Sequence, residues 1–419
     1  MSRLRELMEE LCPGGVEYKK LGEFLSRHTG MAITAGKMKE LHIPNGEIRI
    51  FAAGNTFADV RESDIDKSAV IREPGIIVKS HGNIGFEYYT KPFSHKNEMW
   101  SYTCGDNATS LKYVYYMLEK NATYFQNKAK TGKLPQISIV DTENYEIPVP
   151  PLEIQNEIVK LLDNFTELTA ELTAELTLRK KQYNFYRDSL LNFVRVDDTI
   201  VQTDRQTDRQ VQRISKFGRR IQKDVVWRTL GDIGTVCMCK RILKQQTNTE
   251  SGIPFYKIGT FGKTADSYIS EELFAEYKAK YSYPRKGEIL ISAAGTIGRS
   301  VIYDGSPAYF QDSNIVWIAN DESVVLNRYL YYFYSLFPWR VAEGGTVARL
   351  YNDQIQRTEI PVPPLEVQQK IVSILDRFDA LCNDLTNGLP AEIAARKKQY
   401  EYYRDKLLTF PRAQAEGSV

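Results

Sequence analysis

Two stretches of the chain carry an apolar stripe at helical spacing, and each is preceded by a longer stretch in which short β-type runs alternate with glycine and proline turns. The first stripe places Ile154, Ile158, Leu161, Phe165, Leu168, Leu172, Leu176, Arg179, Tyr183, Tyr186, Leu190 and Phe193 on one seam. The second places Val367, Ile371, Ile374, Phe378, Leu381, Leu385, Leu389, Ile393, Arg396, Tyr400, Tyr403, Leu407 and Phe410 in the same order. Spacings of four and three alternate, with an extra four at Leu172–Leu176 and one more in the second copy, which is a coiled-coil seam with stutters. Helices of this length run about 60 Å at 1.5 Å per residue. Neither could keep such a seam exposed to water, so the two are predicted to pack antiparallel against each other.

Proline sets the limits of these helices. Pro148-Val-Pro-Pro151 fixes extended backbone ahead of the first. Asn387-Gly388-Leu389-Pro390 falls inside the second, where an interior proline costs about 3 kcal/mol, so a kink or a break is expected there. The first copy has instead a tandem of Thr169-Ala-Glu-Leu172 and Thr173-Ala-Glu-Leu176. Four helical residues add about 6 Å, so the number of such units sets helix length in discrete steps.

Ahead of each stripe, runs such as Ile48-Arg-Ile-Phe51, Gly75-Ile-Ile-Val78 and Glu288-Ile-Leu-Ile291 predict short strands. Helices are predicted around Leu111 to Tyr124 and Leu326 to Phe337. The fold class is therefore α+β, with a small twisted sheet in each stretch and polar loops on a rigid scaffold.

The chain also repeats itself. Ile147-Pro-Val-Pro-Pro-Leu-Glu-Ile-Gln155 returns as Ile360-Pro-Val-Pro-Pro-Leu-Glu-Val-Gln368. Arg179-Lys-Lys-Gln-Tyr-Asn-Phe-Tyr-Arg-Asp188 returns as Arg396-Lys-Lys-Gln-Tyr-Glu-Tyr-Tyr-Arg-Asp405, and the second copy is slightly longer between the two blocks. Weaker echoes link Leu21-Gly22-Glu23 to Leu230-Gly231-Asp232, Gly82-Asn83-Ile84-Gly85 to Gly295-Thr296-Ile297-Gly298, Asn97 to Asn314, and Tyr113-Val-Tyr-Tyr116 to Tyr329-Leu-Tyr-Tyr332. The helices are nearly alike, whereas the stretches between them share a plan but not their residues. Residues 197–223 break the pattern with a polar tandem, Thr203-Asp-Arg-Gln-Thr-Asp-Arg-Gln210, and then Arg213, Lys216, Arg219, Arg220 and Lys223. They read as a flexible basic linker.

Composition changes the picture little. A length of 419 residues calls for two or three domains, and 42% hydrophobic with 26% charged residues is ordinary for a globular protein. The net charge of +2 neither demands nor excludes nucleic acid, since cations are needed only where phosphates lie. Five cysteines without a CxxC pair give no disulfide framework, and four histidines without ligand spacing give no metal site. No apolar run reaches the roughly 18 residues of a membrane span, and the charged, amphipathic start is unlike a signal peptide, so a cytoplasmic protein is expected.

Candidate chemistry lies in loops that mix cations, amides and glycine. In the first half these are Lys79, Ser80, His81 and Asn83, then Lys96 and Asn97, then Lys130 and Lys133. In the second half they are Lys240, Arg241, Lys244, Arg285, Arg299 and Arg349. Such side chains pair with base edges in the major groove, and lysines and glycine-loop amides hold phosphates. Catalytic motifs are missing. Gly262-Lys263-Thr264 is mis-spaced for a nucleotide loop, because position 257 is Lys. Gly295-Thr-Ile-Gly298 lacks a third glycine and, given its echo at Gly82–Gly85, reads as a structural turn. Pro148-Val-Pro-Pro151 has no amide or carboxylate of the kind amino-methyltransferases use to grip a base. No nucleophile or acid–base cluster recurs in both halves, which suits a duplicated reader better than a duplicated enzyme.

The repeated Pro-Val-Pro-Pro-Leu-Glu-x-Gln opening a long helix, the Arg-Lys-Lys-Gln-Tyr ending and the two dissimilar domains resemble the specificity subunits of type I restriction-modification systems. The resemblance covers essentially the whole chain. It implies an N-terminal helix (1–15), a first target-recognition domain (16–146), a central helical region (147–196), the linker (197–223), a second target-recognition domain (224–359), a distal helical region (360–411) and a tail (412–419). It implies two globular domains joined by two antiparallel coiled-coil helices in a pseudo-two-fold repeat. The implied function is to read a bipartite site in double-stranded DNA without catalysis, docked to two methyltransferase subunits and through them to restriction–translocase subunits. S-adenosylmethionine, ATP and Mg would then serve the partners, with no cofactor in this chain. The competing readings are a structural coiled-coil adaptor without a DNA role, which leaves the duplicated basic-loop domains unexplained, and a self-sufficient methyltransferase, which lacks its cofactor motif.

Overall fold

The computed structural model describes residues 2–105, 108–129, 134–193, 225–340 and 349–413. Lys130, Lys133, the linker 197–223 and most of the tail lie outside the described residues. The chain divides into two compact units, one of Met1–Thr173 with Glu392–Val419 and one of Ala174–Ala391.

The first unit contains three small sheets. Tyr18–Lys20 pairs antiparallel with Glu146–Pro148. A four-stranded antiparallel sheet runs, in spatial order, Leu25–Thr29, Trp100–Cys104, Gly75–Lys79 and Gly85–Tyr89. A three-stranded sheet runs Phe57–Val60, Ile48–Phe51 and Phe93–His95, the last pair parallel. The apolar run at Gly75–Lys79 is continuous because the strand is buried on both faces. Ile76 and Val78 enter the main core with Trp100, Tyr102 and the helix Leu111–Lys120, while Ile77 packs with Phe51, Phe93 and Met99.

The second unit repeats the plan strand for strand. Val226–Thr229 pairs with Glu359–Val362. The four-stranded sheet is Thr235–Met238, Ile315–Ala319, Ile289–Ser292 and Ser300–Ile302, and the three-stranded sheet is Tyr268–Ile269, Ile253–Tyr256 and Tyr309–Phe310. Here Ile289 and Ile291 face the helical core and Leu290 faces Phe255, Tyr309 and Trp317. The paired runs in the sequence are therefore one strand, used twice.

The repeated proline motif fastens each long helix to its domain. In the first unit the helix Leu152–Leu191 begins just past Pro151, and Ile154, Ile158 and Leu162 are wholly buried in the core. Gln155, also buried, accepts from the backbone N–H of Ser110 at 2.8 Å and donates to the Pro150 carbonyl at 2.7 Å. In the second unit Gln368 accepts from Leu326 N–H at 2.9 Å and donates to the Pro363 carbonyl at 2.8 Å. Tyr113 and Tyr329 reach the carbonyls of Pro148 and Pro361 at 3.0 and 2.9 Å. Asp163 accepts from Lys112 at 2.7 Å and from Tyr116, and Asp376 accepts from Arg328 at 2.6 Å and Tyr332 at 2.5 Å.

The antiparallel helix pairing forms within each unit. In the first, Phe165 stacks on Tyr403 with centroids 5.4 Å apart, while Ile158 and Leu407 line one groove. In the second, Tyr186 stacks on Phe378 at 5.2 Å and Tyr183 lies 6.5 Å from the same ring. Burial pushes the Tyr183 and Tyr400 hydroxyls up to about 12. Ile158, Ile371 and Leu389 are buried, and Leu161, Phe165, Leu172, Leu176, Tyr183, Ile374, Phe378, Leu381, Ile393 and Tyr400 are half-buried. The seam differs from expectation in two ways. The first turns serve the domain as well, so Leu162 and Leu375, outside the seam reading, are the wholly buried leucines there. Leu168 is exposed, and Leu385 is 80% exposed because it sits in a turn.

That turn is the expected break. The distal helix stops at Asn383 and restarts at Leu389, giving Leu365–Asn383 and Leu389–Leu407. Asp384 accepts from the backbone N–H of Thr386 at 2.7 Å and of Asn387 at 3.2 Å. Restarting the helix puts Pro390 in a first turn, where its missing N–H costs nothing.

Candidate nucleic-acid interface

Strand register gathers the candidate loops at one end of each four-stranded sheet. In the first unit Thr29 and Val78 both pair with Trp100, and Lys79 pairs with Gly85, so residues 30–31, 79–85 and 96–99 leave the sheet at the same end. Met31 bridges to Lys96, and His81 bridges to Gln136, which brings a third segment to the cluster. Ser80, wholly buried, donates to the Glu98 carbonyl and meets His81 Nδ1 at 2.8 Å, tying two of the loops together.

Lys79 and Lys96, the selected lysines of this unit among the described residues, have protein partners. Lys79 is 2.7 Å from Glu87, a diagonal neighbour across the hairpin, and Lys96 is 2.8 Å from Glu98. His81 is half-buried, whereas Asn83 and Asn97 are exposed. Beneath the loop, His95 contacts the Lys96 carbonyl at 3.2 Å and Ser101 Oγ at 3.0 Å, and burial holds its imidazole below its ordinary value. A cleft of about 470 Å³ opens beside Lys96 and Glu98, floored by Met38, Ala52 and Phe57.

The second unit builds the same end from different residues. Met238 pairs with Val316 and Ser292 with Ile315, so residues 239–244, 292–299 and 311–314 meet there. Ala294 bridges to Arg349, the repeat equivalent of the His81–Gln136 bridge. Arg349 donates to the Ser313 carbonyl at 2.7 Å, Arg241 is 2.8 Å from Asp312, and Arg299 donates to the Phe261 carbonyl at 2.8 Å. Lys240 is exposed over the Tyr281 ring at 5.2 Å, and Lys244 is exposed at the start of the turn Lys244–Gln246. Arg285 stands apart: it precedes Ile289–Ser292 and lies near Glu288, Asn320 and Asp321, at the opposite end of the sheet. Ser80, Arg299 and Arg349 donate to loop carbonyls, and of the selected groups at this end Asn83, Asn97, Lys240, Arg241 and Lys244 are exposed. The partners Glu87, Asp312 and Gln136 had no local sequence signal, because each meets its partner through strand or loop geometry, whereas Glu98 lies two residues from Lys96.

Gly82 and Gly295 adopt φ of +71° and +65°, in line with a turn and not a cofactor loop. Among the described residues no group of three or more His, Cys, Asp or Glu could hold a metal ion, and no helix is long and apolar enough to cross a membrane.

The family model for the type I restriction modification DNA specificity domain matches twice, over residues 13–178 and 222–395. The chain belongs to the type I restriction-modification specificity family. It is 42% identical over 426 residues to a putative type I restriction enzyme specificity subunit of Haemophilus influenzae, covering 98% of this chain and 100% of that one. It is 31% identical over 438 residues to the EcoR124I/EcoR124II specificity subunit of Escherichia coli, covering 98% of both. The fold matches the crystal structure of an S subunit from M. genitalium with a TM-score of 0.59 at 17% identity, over 94% of this chain and 96% of that one. Specificity subunits are the non-catalytic recognition components of their systems, so this chain is a reader and not an enzyme.

Proposed function

We propose that each unit reads one half of a bipartite site in double-stranded DNA through the loop cluster at the end of its four-stranded sheet. The observation that carries this is the repetition of one strand plan and one bridging contact in both units, with different side chains at the loops. A rigid scaffold used twice with altered loops suits a reader of two unlike half-sites. The target-recognition domains are residues 16–146 and 224–359. Asn83 and Asn97 in the first, and Lys240, Arg241 and Lys244 in the second, are the groups set to meet bases or phosphates, with Lys79, Lys96 and Lys130 and Lys133 as further cations. The ion pair of Arg241 is no obstacle, since its side chain is 67% exposed and surface pairs contribute only about 0–1 kcal/mol.

The helical regions 147–196 and 360–411 would dock two methyltransferase subunits and, through them, the restriction–translocase subunits. Leu178 and Phe185, two turns apart on one helix face, are 65% and 45% exposed, which supports a docking role. S-adenosylmethionine, ATP and Mg would act in those partners, in the cytoplasm.

The test is a map of methylated bases in a host genome with and without this chain, its methyltransferase partner being present in both, followed by exchange of residues 16–146 for another such domain. A split motif that appears only with the chain, and that changes in one half only on exchange, is the expected result. An unchanged map despite stable expression would sink the proposal, and a change in both halves would exclude independent reading.

A further inference from the structure

We infer that Asn83 and Thr296 are equivalent base-reading residues, one per unit, and that Asn83 requires an adenine in its half-site. The inference rests on the proposed DNA-reading function and assigns it to single side chains. Both residues occupy the tip of the hairpin that closes the central strand of the four-stranded sheet, between Gly75–Lys79 and Gly85–Tyr89 in the first unit and between Ile289–Ser292 and Ser300–Ile302 in the second.

The two tips have one construction. Ile84 N–H bonds the Gly82 carbonyl at 3.1 Å, and Ile297 N–H bonds the Gly295 carbonyl at 3.0 Å. A bond from residue i to i+2 is a γ-turn, with Asn83 or Thr296 as its central residue. The glycine before it takes the left-handed conformation in each case. The isoleucine after it points inward, Ile84 being buried and Ile297 packed against the core of its unit. The flanks are held as well: Gly82 N–H bonds the Pro135 carbonyl at 2.9 Å, and Gly298 N–H bonds the Ser292 carbonyl at 2.9 Å.

An anchored turn with one outward polar side chain is a preorganised probe. Asn83 and Thr296 are both exposed, and neither side chain makes a hydrogen bond to another described residue. The other repeated positions in the cluster do not meet these conditions. His81 and Ala294 are half-buried beside their bridges, and Asn97 and Asn314 are the same residue in both units, so they cannot distinguish two half-sites. The carboxamide of Asn matches the N6–H and N7 of adenine bidentately, whereas a Thr hydroxyl is less selective and its methyl favours thymine.

The experiment uses the full chain in complex with its methyltransferase partner, with Asn83→Thr, Asn83→Ala and Thr296→Asn compared with the parent. Half-sites are assigned to units by exchange of residues 16–146. Expected is that Asn83→Thr relaxes one adenine position in the first half-site and leaves the second unchanged, while Thr296→Asn alters the second only. In competition binding to duplexes carrying single base changes, Asn83→Ala is expected to lose roughly ten- to a hundredfold discrimination at that position. A split motif identical to the parent's with Asn83→Thr and Thr296→Asn, or equal discrimination by parent and Asn83→Ala complexes, overturns the assignment and leaves DNA reading intact. Absence of any motif that depends on the parent chain overturns both.

Discussion

The Gln155 side-chain oxygen accepts the backbone N–H of Ser110 at 2.8 Å, across 45 residues of chain. Ser110 is the residue just before the helix Leu111–Lys120, so the glutamine of the proline motif satisfies a donor that the helix start would otherwise leave orphaned. Gln368 does the same for Leu326, ahead of the helix Asn327–Tyr334. Replacing Gln155 with Leu keeps the volume and removes the bonds to Ser110 and Pro150, and a buried orphan costs about 1–3 kcal/mol. The expected loss is about 3 kcal/mol in chemical denaturation, with faster hydrogen exchange at the first turn of Leu111–Lys120. Gln368→Leu should match it at Asn327–Tyr334. A loss for both of less than about 0.5 kcal/mol, the low end for one net hydrogen bond, would show that water replaces the side chain.

The carboxylate clamps give a second test. Tyr116 and Tyr332 each donate to an aspartate on the long helix of their own unit, and burial, reinforced by that carboxylate, drives each hydroxyl pKa upward. Bonds to charged groups contribute about 1.5–3 kcal/mol. Tyr116→Phe and Tyr332→Phe should each destabilise by about that much. Asp376→Ala should cost more, because it also leaves the half-buried Arg328 without its 2.6 Å partner. Equal losses for Tyr332→Phe and Asp376→Ala would show that the arginine contributes nothing.

Much of this was legible in the sequence, but not all of it for the same reason. Repetition revealed the two-unit plan, and helical periodicity revealed the seam, because both are properties of sequence spacing. Leu162 and Leu375 escaped the seam reading because the first turns bury two faces at once, which a single stripe does not describe. Leu385 fits the period yet is exposed, because periodicity continues through a turn that the backbone does not. At the loops, residues chosen for glycine, lysine and asparagine gather at one end of the sheet, while Arg285, chosen by the same composition, lies at the other end. Only strand register separates the two cases. The roles of Gln155, Asp163 and their repeats depend on partners distant in the chain and have no local signature.

His95 makes the first unit sensitive to acid. Burial, reinforced by His28, holds its pKa below the ordinary value, against the opposing effects of the Lys96 carbonyl and Glu98. The unfolded chain therefore takes up a proton at a pH where the folded unit does not. Its contribution is complete above about pH 6.5 and is lost as pH falls toward the folded value. Chemical denaturation at intervals from pH 7.5 to 5 should show falling stability, and His95→Gln should flatten that part of the slope. Parallel slopes for parent and variant would assign the acid sensitivity elsewhere.

Gly388 and Pro390 lie on either side of Leu389 in the break of the distal helix and should respond unequally to alanine. A Cβ on Gly388 would stand 2.6 Å from the carbonyl oxygens of Ala380 and Asp384 and 3.0 Å from that of Leu381, all backbone of the preceding helix end. These atoms cannot swing aside, so Gly388→Ala must open the turn, at about 1–3 kcal/mol by analogy with overpacked cores. Opening would also pull Leu389 out of its buried position. Pro390 occupies the first turn of Leu389–Leu407, where no N–H partner is lost. Pro390→Ala should change stability by no more than about 1 kcal/mol, through the freedom it returns to the unfolded chain. Thermal and chemical denaturation of both variants checks this. A Pro390→Ala variant stabilised by about 3 kcal/mol would mean that the proline sits in a strained helix interior, and the turn at Asp384–Gly388 would then be wrong.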